Sequence, residues 1–223
     1  MKNKVVLITG SSNGIGRETA FKFASEKARV VLTYCNDRLG GQNTEKRCRE
    51  LGAAETLLVK FDLRDNKNIV NAVDEVVKTF GNVDILINNA GVAVWKSLQE
   101  QNVADIEDQI RTNLEGLIKM TWACLPHVKD MIINIGSGAG QRGFADLAPY
   151  CATKFGVRGF TQALAQEISK PKIYAVNPDM TKTRITGFQG RPAEQVAQIV
   201  LNTAKGRYRK SSGSDINVWD YYK

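Results

Sequence analysis

One histidine stands in 223 residues, His127, and it follows a proline at the expected end of a helix, where it reads as a surface residue. The four cysteines, Cys35, Cys48, Cys124 and Cys151, form no C-x-x-C pair and have no histidine at ligand spacing. No metal site is expected from such a set, and single scattered thiols suit a reducing compartment. Long apolar runs are missing too. No stretch approaches the roughly 20 apolar residues of a spanning helix. The opening Met1-Lys2-Asn3-Lys4 precedes only four apolar residues before Thr9-Gly10, too few for a secretory signal. A cytoplasmic protein without a membrane partner is the expectation. The net charge of +8 comes with no zinc-finger or RNA-binding signature. Its longest basic stretch, Lys205, Arg207, Arg209 and Lys210, is broken by Gly206 and Tyr208 and reads as a solvated loop. No nucleic-acid partner is expected.

What is present is a regular alternation. Short, β-branched apolar runs recur at residues 5–8, 30–33, 56–59, 85–87, 131–135 and 173–176. Longer segments of helical spacing separate them, such as the stripe Ile69, Val73, Val76, Val77 and Phe80. Strands that alternate with helices imply βαβ units and a parallel sheet. Continuous rather than alternating apolar runs imply strands buried on both faces, with a helix layer on each side. No linker, repeat or low-complexity segment interrupts the chain, so residues 1–223 read as a single α/β domain.

The first run ends in Thr9-Gly10-Ser11-Ser12-Asn13-Gly14-Ile15-Gly16, and a helix is expected to follow. Glycines at 10, 14 and 16 allow a sharp strand-to-helix turn and close approach of backbone to a pyrophosphate. The helix N-terminus then offers unpaired N–H groups to the phosphates. Tyr150 and Lys154 are one helical turn apart on one face, after Pro149, which favours a helix start. A lysine there is expected to lower the tyrosine pKa from its usual value near 10. Ser137 follows the fifth run, at the edge of the sheet where ligands bind.

These segments stand in the order of a known family. The G-x-x-x-G-x-G spacing resembles the fingerprint of the short-chain dehydrogenase/reductase family, and the resemblance runs from Lys4 to about Thr183. It implies a Rossmann-type, doubly wound parallel sheet in three layers. It implies an NAD(P)(H)-dependent oxidoreductase that moves a hydride between nicotinamide and a small-molecule carbonyl/alcohol pair. By the same resemblance Asn113, Ser137, Tyr150 and Lys154 are the catalytic group, with Asn113 on a helix, holding a water next to Lys154. The cofactor contacts it implies are Gly10, Ser12, Asn13, Gly14, Ile15, Gly16, Tyr34, Asp62 and Leu63, then Asn89, Ala90 and Gly91 of the N-N-A-G motif, then Tyr150, Lys154, Pro178 and Thr183. Asp62 would end the third strand and meet adenine. For Asn89, cofactor contact and plain loop support stand level. The family's habit implies a homodimer or homotetramer.

The tip of the second strand is Tyr34, followed by Cys35 and Asn36, with no carboxylate for a ribose 2′-hydroxyl. NADP(H) is therefore preferred over NAD(H). Asp37 is a turn residue or a displaced ribose acid. Arg17 or Arg38 would meet a 2′-phosphate or be surface charges. Two departures from the family stand out. Asp179 replaces a glycine after Pro178, at a cost if its φ is positive. Only residues 184–190 separate Thr183 from the next helix, a shortened substrate lid near 184–191 that implies an open site or one completed by a neighbouring subunit. The C-terminal run Ile216 to Lys223, rich in aromatics, is a last strand on the core or an oligomer contact. Against the enzyme reading stands a non-catalytic nucleotide-sensing protein on the same fold, which Asp179 and the short lid would favour.

Overall fold

A computed structural model describes residues 1–222; Lys223, the last residue of the aromatic C-terminal run, lies outside them. Seven parallel strands form one sheet in the order β3-β2-β1-β4-β5-β6-β7. They are β1 (Val5–Ile8), β2 (Arg29–Tyr34), β3 (Glu55–Lys60), β4 (Val83–Asn88), β5 (Val128–Ile135), β6 (Lys172–Asn177) and β7 (Asp215–Asn217). The helices are α1 (Gly14–Ser25), α2 (Arg38–Glu50), α3 (Asn66–Phe80), α4 (Val103–Ile110), α5 (Gly116–Cys124), α6 (Ala148–Glu167) and α7 (Ala193–Ala204). All six apolar runs read from the sequence are strands. The seventh strand is only three residues long.

Alternation along β1 divides the core in two. Val6 and Ile8 face one way, with Val30 and Leu32 of β2, and pack on Phe23 of α1 and Val196 and Val200 of α7. Val5 and Leu7 face the other way, with Val31 and Leu86, and pack on Val73 of α3, Met120 of α5 and Leu164 of α6. Side chains that alternate across a strand feed both layers, and each large one fully buried contributes about 1.5–3 kcal/mol. The α3 stripe buries Ile69, Val73 and Val76, while Val77 and Phe80 are only partly covered. That helix begins at Asp65, whose side chain accepts from the N–H groups of Lys67 and Asn68, and ends at Gly81 with φ 79°.

The C-terminal run divides. Ile216 and Val218 are buried on the core, whereas the Tyr221 ring lies on that of Tyr208, centroids 4.2 Å apart, and is partly exposed. Most of the basic stretch is solvated, but Lys205 is tied to Glu26 at 2.6 Å. No helix among the described residues is long and apolar enough to cross a membrane, and no group of three or more metal-ligating side chains occurs among them.

Candidate functional site

The strand order reverses direction between β1 and β4, and the loops leaving both strands at their carboxyl ends bound a crevice. The two loops are laced together. Thr9 Oγ1 accepts from the backbone N–H groups of Asn89 (2.9 Å) and Ala90 (3.0 Å). The Asn89 amide donates back to the carbonyls of Thr9 and Gly10 at 2.9 and 3.0 Å. Asn89 thus spends its side chain on holding the glycine loop. Gly10 adopts φ 65°, and a Cβ there would lie 2.8 Å from Ala90 Cα, so the loop closes only with glycine. Ser12 is buried. Asn13 is the residue before α1, and its amide turns to Ser12 Oγ (3.1 Å) instead of capping the helix. The N–H groups of Gly14, Ile15 and Gly16 therefore have no side-chain acceptor at the start of α1, which is the vacancy an anionic pyrophosphate needs. By this observation the loop fits a dinucleotide.

Beside it lies a cleft of about 170 Å³, lined in part by Gly10, Tyr34, Asp62, Leu63 and Ala90. Tyr34 ends β2. Asp62 does not end a strand as its sequence position suggested: β3 stops at Lys60. Nor is its carboxylate free. Both oxygens accept from the Arg64 side chain, at 2.9 Å to Oδ1 and 2.6 Å to Oδ2, and the guanidinium holds its pKa down at about 2. Arg64 also binds Asp108 at 2.7 Å. Asp37 proves to be a turn residue: Oδ1 caps α2 through Gly40 N (2.9 Å) and Oδ2 pairs with Arg184 Nη1 at 3.0 Å. Arg17 pairs with its neighbour Glu18, and Arg38 opens α2.

At the other end of the crevice α6 carries Pro149 in its first turn, then Tyr150 and Lys154. Ser137 follows β5 and starts a short 3₁₀ turn, Gly138–Gly140, that packs hard on α6; a Cβ at Gly140 would lie 2.6 Å from Lys154 O. Arg158 Nη1 clamps this turn through Gly140 O (2.7 Å) and is itself paired with Asp215 of β7 at 2.6 Å. Ser137 thus sits on a turn fixed against the helix that carries Tyr150, and its hydroxyl favours the ionised form of the Tyr150 phenol. Lys154 Nζ is buried, donates to Ile135 O at 2.8 Å and stands 5.6 Å from the centre of the Tyr150 ring.

One expectation is corrected here. Lys154 does not pull the Tyr150 hydroxyl down. Burial pushes that phenol up to about 12, with only the Ser137 hydrogen bond acting in the opposite sense. Burial also brings the Lys154 ammonium down to about 8. Desolvation penalises the charged form of each.

Asn113 is fully buried, yet the element that carries it is not an ordinary helix. Residues Arg111–Glu115 form a π-helical turn between α4 and α5, a local insertion common at functional sites. Its Oδ1 accepts from Val92 N and its Nδ2 donates to Val92 O, both at 2.8 Å. A carbon added at Gly91 would lie 3.2 Å from Asn113 Oδ1 and 3.8 Å from Lys154 Nζ, so these three residues meet at one point.

The segment after β6 answers the question raised by Asp179. Its φ is not positive; its carboxylate instead takes both ends of the Arg191 guanidinium, at 2.9 and 2.8 Å. Pro178 O accepts from Gly138 N (2.8 Å), joining this segment to the Ser137 turn. Backbone bonds Arg191 N to Met180 O and Lys182 N to Arg191 O, both 2.8 Å, close the short lid at its base. Thr183 precedes the Arg184–Thr186 turn and lies against Gly14. Sequence reasoning missed three further parts of this site: Arg158, which sets the Ser137 turn; Thr153, which meets Asn113 at 3.3 Å; and Trp95, whose Nε1 donates to Ile185 O of the lid at 2.8 Å. All three depend on partners distant in sequence and carry no local signal.

The profile of the short chain dehydrogenase family matches residues 4–193. An NADP-dependent 3-hydroxy acid dehydrogenase of Schizosaccharomyces pombe is 34% identical over 92% of this chain and 82% of its own length. The chain belongs to the short-chain dehydrogenase/reductase family. Another member, a meso-2,3-butanediol dehydrogenase of Serratia marcescens, is 32% identical over 92% of this chain and 81% of its own. Among solved structures, a short chain dehydrogenase from Burkholderia cenocepacia in complex with NADP superimposes with a TM-score of 0.90 at 28% identity, covering 97% of this chain and 96% of that one. This short-chain dehydrogenase/reductase is accordingly an NAD(P)-dependent oxidoreductase acting on a hydroxyl/carbonyl pair, and the alternative of a non-catalytic nucleotide sensor finds no support.

Proposed function

We propose that the protein interconverts a small carbonyl compound and its alcohol with NADP(H) in preference to NAD(H), through Tyr150, Ser137, Lys154 and Asn113. The observation that carries this reading is the buried Lys154 Nζ, 5.6 Å from the centre of the Tyr150 ring and beside Asn113 at Gly91, with the Ser137 turn packed on the same helix. When bound, the reduced nicotinamide supplies a hydride to the carbonyl carbon. The chain supplies the rest. Tyr150, neutral through the physiological range because of its raised pKa, donates its hydroxyl proton to the carbonyl oxygen. Ser137 Oγ accepts from Ala139 N at 3.1 Å, which leaves its own proton to hold the same oxygen as charge develops. Lys154 uses one donor on Ile135 O and keeps two for ribose hydroxyls. Asn113 holds a water beside Lys154 Nζ, and that water passes protons from solvent. Ser12, Asn13, Gly14, Ile15 and Gly16 seat the pyrophosphate; Tyr34, Asp62, Leu63 and Ala90 line the adenosine side; Gly91, beside Asn113 and Lys154, lies with Pro178 and Thr183 on the nicotinamide side.

The NADP(H) preference is supported by the absence of a carboxylate at Tyr34, by the engagement of Asp37 elsewhere, and by NADP in the relatives. Calorimetric titration with NADPH and NADH separately is expected to show tighter binding of NADPH. Binding of neither would overturn the reading. The four free thiols, three of them buried at Cys48, Cys124 and Cys151, fit a cytoplasmic setting.

A second copy of this chain is part of the same reading. Leu114, in the π-helical turn that leads into α5, packs on Gly156 of α6, so this turn and α6 belong to one outer face. That face leaves Ile118, Trp122 and Phe155 exposed, Trp122 at 71%, and nothing stands above Gly159. Two such faces related by a two-fold axis would cover one another's apolar side chains. Sedimentation is expected to show a dimer or tetramer, and Trp122→Glu a shift to monomer; a monomeric wild type would refute the assembly.

A further inference from the structure

The only charged residue between Thr183 and Arg191 is Arg184, and its position ties the lid to the adenosine end of the crevice. Thr183 lies against the glycine loop: a carbon added at Gly14 would stand 3.2 Å from Thr183 Cγ2. From there the Arg184 side chain reaches Asp37, three residues past the tip of β2, with Nη1 3.0 Å from Oδ2. It therefore spans from the glycine loop to the β2 tip, across the ground where the adenosine ribose must lie. The pair is exposed, 64% on the Arg184 side chain, and so is weak and readily exchanged. Asp37 has its other oxygen on Gly40 N. A bare carboxylate at this point would repel a phosphate, and Arg184 neutralises it.

We propose that Arg184 selects the dinucleotide carrying a 2′-phosphate, by exchanging Asp37 for that phosphate and drawing the short lid down over the bound cofactor. The inference rests on reading the crevice as a dinucleotide site. A doubly charged phosphate is a stronger, bidentate acceptor for a guanidinium than a carboxylate already committed to a helix cap. The other side of the lid is held by Trp95 through Ile185 O. The lid thus hangs between the substrate side and the adenosine side, and the identity of the adenosine ribose is felt where substrate enters. Neither Arg17, paired with Glu18, nor Arg38, on α2, offers such a link.

The test is calorimetric titration of wild type, Arg184→Ala and Asp37→Asn with NADPH and NADH, with tryptic cleavage after Arg184 followed in parallel. Arg184→Ala is expected to weaken NADPH roughly tenfold or more while changing NADH less than about twofold. Asp37→Asn, which keeps a helix-capping side chain, is expected to tighten NADPH. NADPH is expected to slow cleavage after Arg184 in the wild type more than NADH does. An unchanged ratio of NADPH to NADH affinity in Arg184→Ala would overturn the proposal. So would an Asp37→Asn protein that loses NADH affinity without gaining NADPH, since Asp37 would then be a ribose ligand. A wild type that binds neither dinucleotide would overturn the dinucleotide site itself and the proposal with it.

Discussion

Tyr150→Phe is expected to lower kcat by about 10²–10⁴-fold, the range for loss of a positioned proton donor, and to leave NADPH affinity nearly unchanged. Only the hydroxyl is removed. The ring keeps its place on α6, Lys154 keeps its bond to Ile135 O, and the loop from Gly10 to Gly16 is untouched. The loss should fall on kcat and kcat/KM together, because the proton is transferred only in the transition state. Near-normal turnover by this variant would remove Tyr150 from the reaction.

Lys154→Met is expected to separate activity from stability. Turnover should collapse with the loss of the cation proposed to contact the ribose and restore the Tyr150 proton. Stability should rise at neutral pH. The ammonium is 4% exposed and its pKa is depressed to about 8 by burial alone. Below pH 8 both folded and unfolded chains carry the charge, and the folded one bears the full desolvation cost, about 3 kcal/mol at 1.36 kcal/mol per pKa unit. As pH rises from 8 towards 10.5 the folded chain loses its proton first, and the cost fades. Methionine has nearly the same volume and no charge, although it leaves Ile135 O without its partner, which offsets part of the gain. Thermal unfolding should show the variant above the wild type at pH 7, with the gap closing by pH 10. A variant less stable at pH 7, or a gap that widens with pH, would show that Lys154 is not held at a desolvation cost.

The reach of the sequence follows from what is local and what is not. The strands were legible because a parallel strand covered on both faces must be apolar along its whole length, as in Val5, Val6, Leu7 and Ile8. Tyr150 and Lys154 were legible because one helical turn brings them together. The state of the tyrosine was not, because burial by the rest of the chain decides its pKa. Charge pairs were the least legible. Arg64 takes Asp62 through geometry two residues long that spacing does not announce, and Arg184 meets Asp37 across 147 residues. Asp179 looked like a backbone defect when read against the family's glycine; beside Arg191 it is the base of the lid. The π-helical turn at Asn113 has no composition that separates it from α4 and α5, and packing alone reveals it.

The central claim is hydride transfer between nicotinamide and a carbonyl carbon at the Ser137–Tyr150–Lys154 site. It is tested most directly by incubating the protein with NADPH deuterated at the transferring carbon and a panel of small aldehydes, ketones and keto acids, then reading deuterium in the products by mass spectrometry. The account predicts deuterium on the new carbinol carbon of at least one product, and none when Tyr150→Phe replaces the wild type. Tight NADPH binding with no deuterium in any product across the panel would contradict it.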